Sequence, residues 1–247
     1  ATQLSFGTAT SGTVNYSWQE ISPGTASGSG TWSGNTLTIV GLPINAIIRL
    51  QIEPTNFQRI NINSGSYRNR LLEVEQWGTT AWTSMQGAFY TCPNLQVTAT
   101  DIPNLAGVSD MSNMFAGCTS LNSPTNINSW NTSTVTNMRL LFYGAAAFNQ
   151  NIGSWNTSNV TDMSGMFTTA IAFNQNIGAW NTGKVTNMSS MFYSAKAFNQ
   201  NIGAWITDSV TDMSNMFFQA SVFNQNIGAW NTGNVKNMAF MFRQASV

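Results

Sequence analysis

The sequence contains no histidine, and only 7% of its 247 residues are charged, against about 25% in an ordinary soluble domain. Without imidazole, the commonest metal ligand and the commonest general acid–base group are both missing. Nine basic residues balance nine acidic ones, so the formal net charge is zero. Nothing in that balance neutralises a nucleic-acid backbone or an anionic membrane surface, and a nucleic-acid partner is not expected. No apolar run approaches the roughly 20 residues that span a bilayer, so this stretch is not expected to insert into a membrane. Glu73 and Glu75 alternate on a predicted strand and share a face. They have no histidine, nucleophile motif or glycine-rich phosphate loop beside them, and we expect no catalytic residue, no metal and no cofactor. The opening ATQLSFGTAT lacks an initiator Met and a charged-then-apolar leader, and AFMFRQASV stops partway through a repeat, so a piece of a longer protein is expected.

What is present is repetition. Trp130, Trp155, Trp180, Trp205 and Trp230 stand 25 residues apart. Five residues after that column comes an apolar one, giving Trp82, Val108, Val135, Val160, Val185, Val210 and Val235, with spacings of 26, 27, 25, 25, 25 and 25. All twelve methionines fall in two further columns, three and six residues on, and a phenylalanine follows the second of these in every unit. Thioethers fill irregular gaps well, so these methionines read as core rather than as ligands.

Within a unit, Val160, Met163, Met166, Phe167, Ala170 and Phe173 recur at offsets of three and four, which predicts a short helix. Asp162 precedes it as a cap, and the capping column runs Asp110, Asn137, Asp162, Asn187, Asp212, Asn237. If rungs stack in parallel about 5 Å apart, adjacent carboxylates would repel by about 3 kcal/mol at an effective dielectric of 20, and the alternation of Asp with Asn avoids this. The segment FNQNIGSW suits a short extended rung and a turn. The expectation is an α/β solenoid of leucine-rich-repeat-like units over residues 70–247, one short strand and one short helix per repeat. Residues 1–69 lack the repeat. Their alternating stretches TVNYSWQEI, NTLTIVGL and IIRLQIEP predict a small all-β domain that covers the open N-terminal edge of the stack.

Cys92 and Cys118 stand where later units carry alanine, a small buried position. Stacking brings them within reach of a disulfide, although parallel side-chain vectors disfavour one. The polar columns are the candidates for binding: Asn149, Gln150, Asn174, Gln175, Asn199, Gln200, Asn224 and Gln225 form flat amide strips that suit a glycan or a protein, or else satisfy one another. Thr132, Thr157, Thr182, Thr207 and Thr232 form a second strip that would suit an ice or crystal surface if it faced outward. The tryptophans either offer rings to sugars or stack in the core.

The motif V-T-D-M-S-G-M-F-x-x-A-x-x-F-N-Q-N-I-G-x-W-N-T resembles a tandem repeat of bacterial surface lipoproteins and adhesin-like proteins. It is also similar to the BspA-type leucine-rich repeat, most closely where Cys92 precedes Leu95 and Cys118 precedes Leu121. The TLTIVGL strand of the head resembles PKD-like or immunoglobulin-like modules. The resemblance implies surface display on a bacterium and binding to a protein or glycan, with no catalytic residues to transfer. The family's usual acidic residue is Asn at 151, 176, 201 and 226 here, which speaks against cation-dependent binding. Two functions are therefore expected to compete: an extracellular adhesion or interaction module, and a structural spacer or self-associating subunit of an extracellular filament.

Overall fold

The computed structural model describes residues 2–62 and 65–245; positions 1 and 247, the outer limits of the two predicted domains, lie outside the described residues. Six strands build the N-terminal unit: β1 (Gln3–Thr10), β2 (Val14–Ser22), β3 (Ser27–Trp32), β4 (Thr36–Val40), β5 (Ile47–Ile52) and β6 (Phe57–Asn61). They form two three-stranded antiparallel sheets in the orders β4-β1-β6 and β3-β2-β5. Period-two alternation sets the faces. Phe6, Val14, Leu37, Ile39 and Phe57 are buried, while Ser17, Gln19, Arg49 and Gln51 face water. The immunoglobulin arrangement places four strands opposite three or five in a different order, so the expected immunoglobulin-like module is not formed.

The strand β6 is not left open. Thr83 N donates to Gln58 O at 3.0 Å and Ile62 N to Ala88 O at 2.9 Å, joining it to the first repeat. The aromatic chain Tyr16, Trp32, Phe57, Trp82, with centroids 6.0, 5.8 and 5.4 Å apart, makes the two cores continuous. Glu75, one of the two alternating glutamates, is bound by Arg49 at 2.6 and 3.0 Å, and Glu73 accepts from Thr98 Oγ1, so the two carboxylates are held apart by separate partners.

The α/β solenoid does not form: among the described residues there is no α-helix, only two short 3-10 segments, Gly65–Arg70 and Ile127–Ser129. The stretch predicted to be helical is a run of turns. Met166 N, Thr168 N and Ala170 N bond to the carbonyls three residues back, of Met163, Gly165 and Phe167, at 3.0–3.2 Å. The intervening amides of Met163, Gly165, Phe167 and Thr169 donate instead to Asn187, Ser189, Met191 and Tyr193 of the next unit, at 2.7–3.0 Å. A helix would direct every amide to the residue four before it. Here half of them close turns and half join rungs.

The turns closed by Met166 and Ala170 need positive φ at their third residue, the type II requirement. Gly165 (φ +61°) and Thr169 (φ +56°) supply it, as do Ser190 (+56°) and Ser194 (+53°) in the next unit. Successive rungs run parallel and in register, as the bridges Asp110–Asn137, Asn137–Asp162, Asp162–Asn187, Asn187–Asp212 and Asp212–Asn237 show. Two short parallel strands, β7 (Glu73–Val74) and β8 (Gln96–Val97), begin the stack.

Inside, identical side chains form ladders. Phe115, Phe142, Phe167, Phe192, Phe217 and Phe242 stack 5.5–5.9 Å apart. The methionine columns lie beside them, eleven of the twelve buried or nearly so and Met238 exposed in the last rung.

Candidate functional surface

Each polar column named from the sequence can now be placed. The six residues assigned as helix caps have no helix to cap. They accept from the backbone N–H two residues on, as Asp162 Oδ1 does from Ser164 N at 2.8 Å and Asn187 Oδ1 from Ser189 N at 2.9 Å, closing Asx turns. Asn151, Asn176, Asn201 and Asn226 do the same for the glycines two residues on.

Asn149, Asn174, Asn199 and Asn224 with Gln150, Gln175, Gln200 and Gln225 form one continuous ladder. Asn149 Oδ1 accepts from Asn174 N (2.9 Å) and Gln175 Nε2 (3.0 Å), and Asn174 Oδ1 from Asn199 N (3.0 Å) and Gln200 Nε2 (2.9 Å). Asn199 Oδ1 repeats the pattern with Asn224 N and Gln225 Nε2, and Asn122 Oδ1 starts it with Asn149 N and Gln150 Nε2. These amides are committed to joining rungs.

The threonine strip faces inward. Thr132, Thr157, Thr182 and Thr207 are at most 2% exposed, and each hydroxyl donates to a carbonyl of the next rung at 2.8–3.0 Å. These four threonines therefore cannot form an outward ice-binding surface, and Thr232, in the last rung, is the one member of the strip that is exposed. Replacing Thr182 by Val keeps the shape but leaves the Ile206 carbonyl unpaired inside the stack. The expected loss is about 1–2 kcal/mol in a urea unfolding curve.

The tryptophans are also interior. Trp155, Trp180, Trp205 and Trp230 donate Nε1–H to the carbonyls of Ile127, Ile152, Ile177 and Ile202 at 2.8–3.1 Å, and their rings stack 6.3–6.4 Å apart over the last three units. None of these four rings is free for a sugar.

Cys92 and Cys118 are free and fully buried, with Cys118 Sγ–H donating to Phe89 O at 3.1 Å. Burial pushes the Cys92 thiol up from 9.0 to about 12, and burial raises that of Cys118 as well, so both stay protonated and unreactive at neutral pH. A thiol reagent at pH 8 is expected to modify neither until the chain unfolds. The pH dependence has a definite sign. The unfolded thiol ionises near 9 while the folded one resists to about 12, so the folded state holds more protons in that window. The thiol contribution is fully present below pH 9 and is lost as pH rises toward 12. A stability curve that rises from pH 9 to 11 would contradict this.

The surface that sequence reasoning missed lies where the units differ from one another. Eight residues beyond the valine column stand Tyr90, Ala116, Tyr143, Thr168, Tyr193, Phe218 and Arg243; five beyond it stand Gly87, Asn113, Leu140, Gly165, Ser190, Asn215 and Phe240. Arg243 lies over both Phe218 (5.9 Å) and Phe240 (5.2 Å), which puts the two columns on one face. Tyr193 and Phe218 stack at 4.7 Å and 2°. Tyr90 and Tyr143 are 38% and 44% exposed, although packing does not require them to be aromatic. The available signal was variation between units. Columns that repeat are fixed by side-chain ladders, and in these two columns no one side chain is required in every unit.

No group of three or more His, Cys, Asp or Glu able to hold a metal is found among the described residues. No helix there is long and apolar enough to cross a membrane. The molecule is thus of the stacked-rung kind, with an interior committed to ladders and one variable aromatic face. The sequence profile of a family described as "Mycoplasma protein of unknown function, DUF285" matches residues 60–179 and 171–247. The chain belongs to the DUF285 family. Comparisons with curated proteins and with solved structures returned no match. The BspA-type leucine-rich-repeat resemblance is therefore corrected on two counts: the profile that matches is a different one, and the helix that such a unit was expected to contain is a run of turns.

Proposed function

We propose that the chain is a non-enzymatic extracellular binding module that engages a protein or glycan through the variable aromatic face of its stacked rungs. The observation that carries this reading is the division of labour among columns. Asn, Thr, Trp and Phe columns are consumed in holding rungs together, whereas Tyr90, Tyr143, Tyr193, Phe218 and Arg243 project from a face where the stack asks for nothing of the kind. Tyrosine supplies contact area and a hydrogen bond at low conformational cost, and tyrosine and arginine are both enriched in binding surfaces. A neutral sequence rich in hydroxyls and amides supports display and recognition.

The alternative of a spacer or filament subunit draws on the unbroken ladders between Asn122 and Gln225, which give a stiff column with no need of a ligand. A screen of the folded chain against matrix proteins and a glycan array separates the two. Saturable binding that falls about tenfold or more in the double variant Tyr143→Ser/Tyr193→Ser supports the module. Absence of binding together with concentration-dependent assembly supports the spacer.

A further inference from the structure

The spacing of 27 residues between Val108 and Val135, where later units have 25, marks a local insertion. Asn122 occupies the ladder position of Asn149, since its Oδ1 accepts Asn149 N and Gln150 Nε2, both at 3.1 Å. Between Asn122 and Asn126 lie Ser123, Pro124 and Thr125, where later units have the single Gln150 between Asn149 and Asn151. Across these residues Ser123 replaces the amide ladder, donating to Gln96 Oε1 and accepting from Val97 N, and a cleft of about 360 Å³ lies between this rung and the one before it.

The cleft has a defined chemistry. Val97, Ala99 and Pro124 are buried and make an apolar floor; Thr98, Thr100 and Thr125 are exposed and, with Ser123, make a hydroxyl rim. Among the described residues no charged side chain lines it. Asn126 also lines it. Its Nδ2 donates to the carbonyls of Ala99, Thr100 and Asp101 at 3.1–3.3 Å, which fixes the amide orientation and leaves Oδ1 buried without a partner. A buried acceptor of that kind is met by a small donor, a water or a ligand hydroxyl.

On the Val97–Ala99 side of the cleft the backbone amides are already used. Val97 N donates to Ser123 Oγ (2.7 Å), Thr98 N and Ala99 N donate to Val74 O (3.0 and 3.1 Å), and Pro124 has no N–H. An added peptide strand needs a run of free donors and acceptors at a sheet edge, and the amides of residues 97–99 are not free to supply one.

We propose that this cleft is a subsite for a neutral saccharide ring. The C–H face of the ring lies on Val97, Ala99 and Pro124, a ring hydroxyl donates to Asn126 Oδ1, and the remaining hydroxyls exchange hydrogen bonds with Thr100 and Thr125, since Thr98 Oγ1 is taken by Glu73 and Ser123 Oγ by Gln96 and Val97. The volume falls within the range of small-ligand sites, and the uncharged lining selects against anionic sugars. The inference does not rest on the aromatic face, which is formed by other columns.

The test is a two-dimensional NMR titration of the whole chain with neutral oligosaccharides built on glucose, galactose, mannose or N-acetylglucosamine, beside a uronic-acid oligomer. The expected result is a saturable shift of the amides of residues 97–100, 123, 125 and 126 with at least one neutral sugar, undiminished in Tyr143→Ser/Tyr193→Ser. Thr100→Trp and Thr125→Trp place bulk across the mouth at side chains that make no hydrogen bond in the fold. Each is expected to weaken binding about tenfold or more while leaving the thermal midpoint unchanged. Thr125→Ser is expected to retain it. The proposal is overturned if no neutral sugar shifts these amides, if the uronic-acid oligomer binds there more tightly than the neutral sugars, if the tryptophan variants bind as the parent does, or if the shifts map to the aromatic face instead.

Discussion

Phe192→Ala is expected to destabilise the chain by about 4 kcal/mol, near the upper range for a single core truncation. Its ring is fully buried and lies between Phe167 and Phe217 at 5.7 and 5.6 Å, with Phe198 at 3.9 Å and Trp205 at 6.2 Å. The loss combines transfer of a large apolar group with a cavity that its neighbours cannot collapse into, because each is locked in its own ladder position. Aromatic pairs add about 0.5–1.5 kcal/mol each beyond area, and this ring belongs to four. In a stack where each rung contacts its neighbours, the damage also weakens the coupling between the units on either side. Phe242→Ala supplies the comparison. That ring is 48% exposed and has one stacked neighbour, Phe217 at 5.5 Å, so its removal should cost about 1 kcal/mol. Urea unfolding followed by Trp fluorescence measures both. Equal losses would mean that the ladder adds nothing beyond the individual rings.

That comparison also shows what the sequence could and could not reveal. Every column of the interior was legible, since an apolar residue recurring at a fixed spacing must occupy equivalent ground in each unit. The conformation between columns was not. An α-helix buries positions three and four apart, and so does a succession of turns each closed by an amide bonding three residues back. Val160, Met163, Met166, Phe167, Ala170 and Phe173 satisfy either. What separated the two was the filler: Ser164, Gly165, Thr168 and Thr169 are poor helix formers, and the positions equivalent to Gly165 and Thr169, which are Ser190, Ser194, Asn215 and Gln219, all take positive φ. The head was easier, because TVNYSWQEI and IIRLQIEP alternate with period two, which only a strand requires. Its sheet order was not legible, because β1 pairs with β4 and β6, far along the chain.

The candidate surface was legible only in reverse. The Asn and Gln columns drew attention because they repeat, and they repeat because each amide bonds to the next rung. Tyr143, Tyr193 and Phe218 repeat imperfectly and so drew none. The cleft left its trace as an irregular spacing, visible in the sequence but without chemical meaning until Asn126 was seen to turn its amide nitrogen toward three carbonyls.

The glycine of the FNQNIG segment leads to the second large effect. Gly178 does not have positive φ, so its role is spatial: a Cβ there would lie 2.4 Å from the carbonyl oxygen of Asn201 in the next rung. That oxygen belongs to backbone held on both sides by paired rungs and cannot swing away as a side chain would. Gly153 and Gly203 face the same obstruction, at 2.6 and 2.4 Å from Asn176 O and Asn226 O. Gly178→Ala must therefore push neighbouring rungs apart locally, lengthening the Thr182 and Asn174 bonds nearby, and is expected to cost about 2–3 kcal/mol. Gly228 provides an internal control, since its nearest obstacle is its own rung's Asn226 Oδ1 at 3.2 Å and no backbone carbonyl opposes it. Gly228→Ala should change stability by less than about 1 kcal/mol. The two midpoints, measured side by side, decide whether close rung approach or turn geometry fixes glycine in this column. A large loss at 178 with little at 228 assigns it to approach, and equal losses assign it to the turn that Asn176 Oδ1 and Asn226 Oδ1 close on the two glycine amides at 3.0 and 2.9 Å.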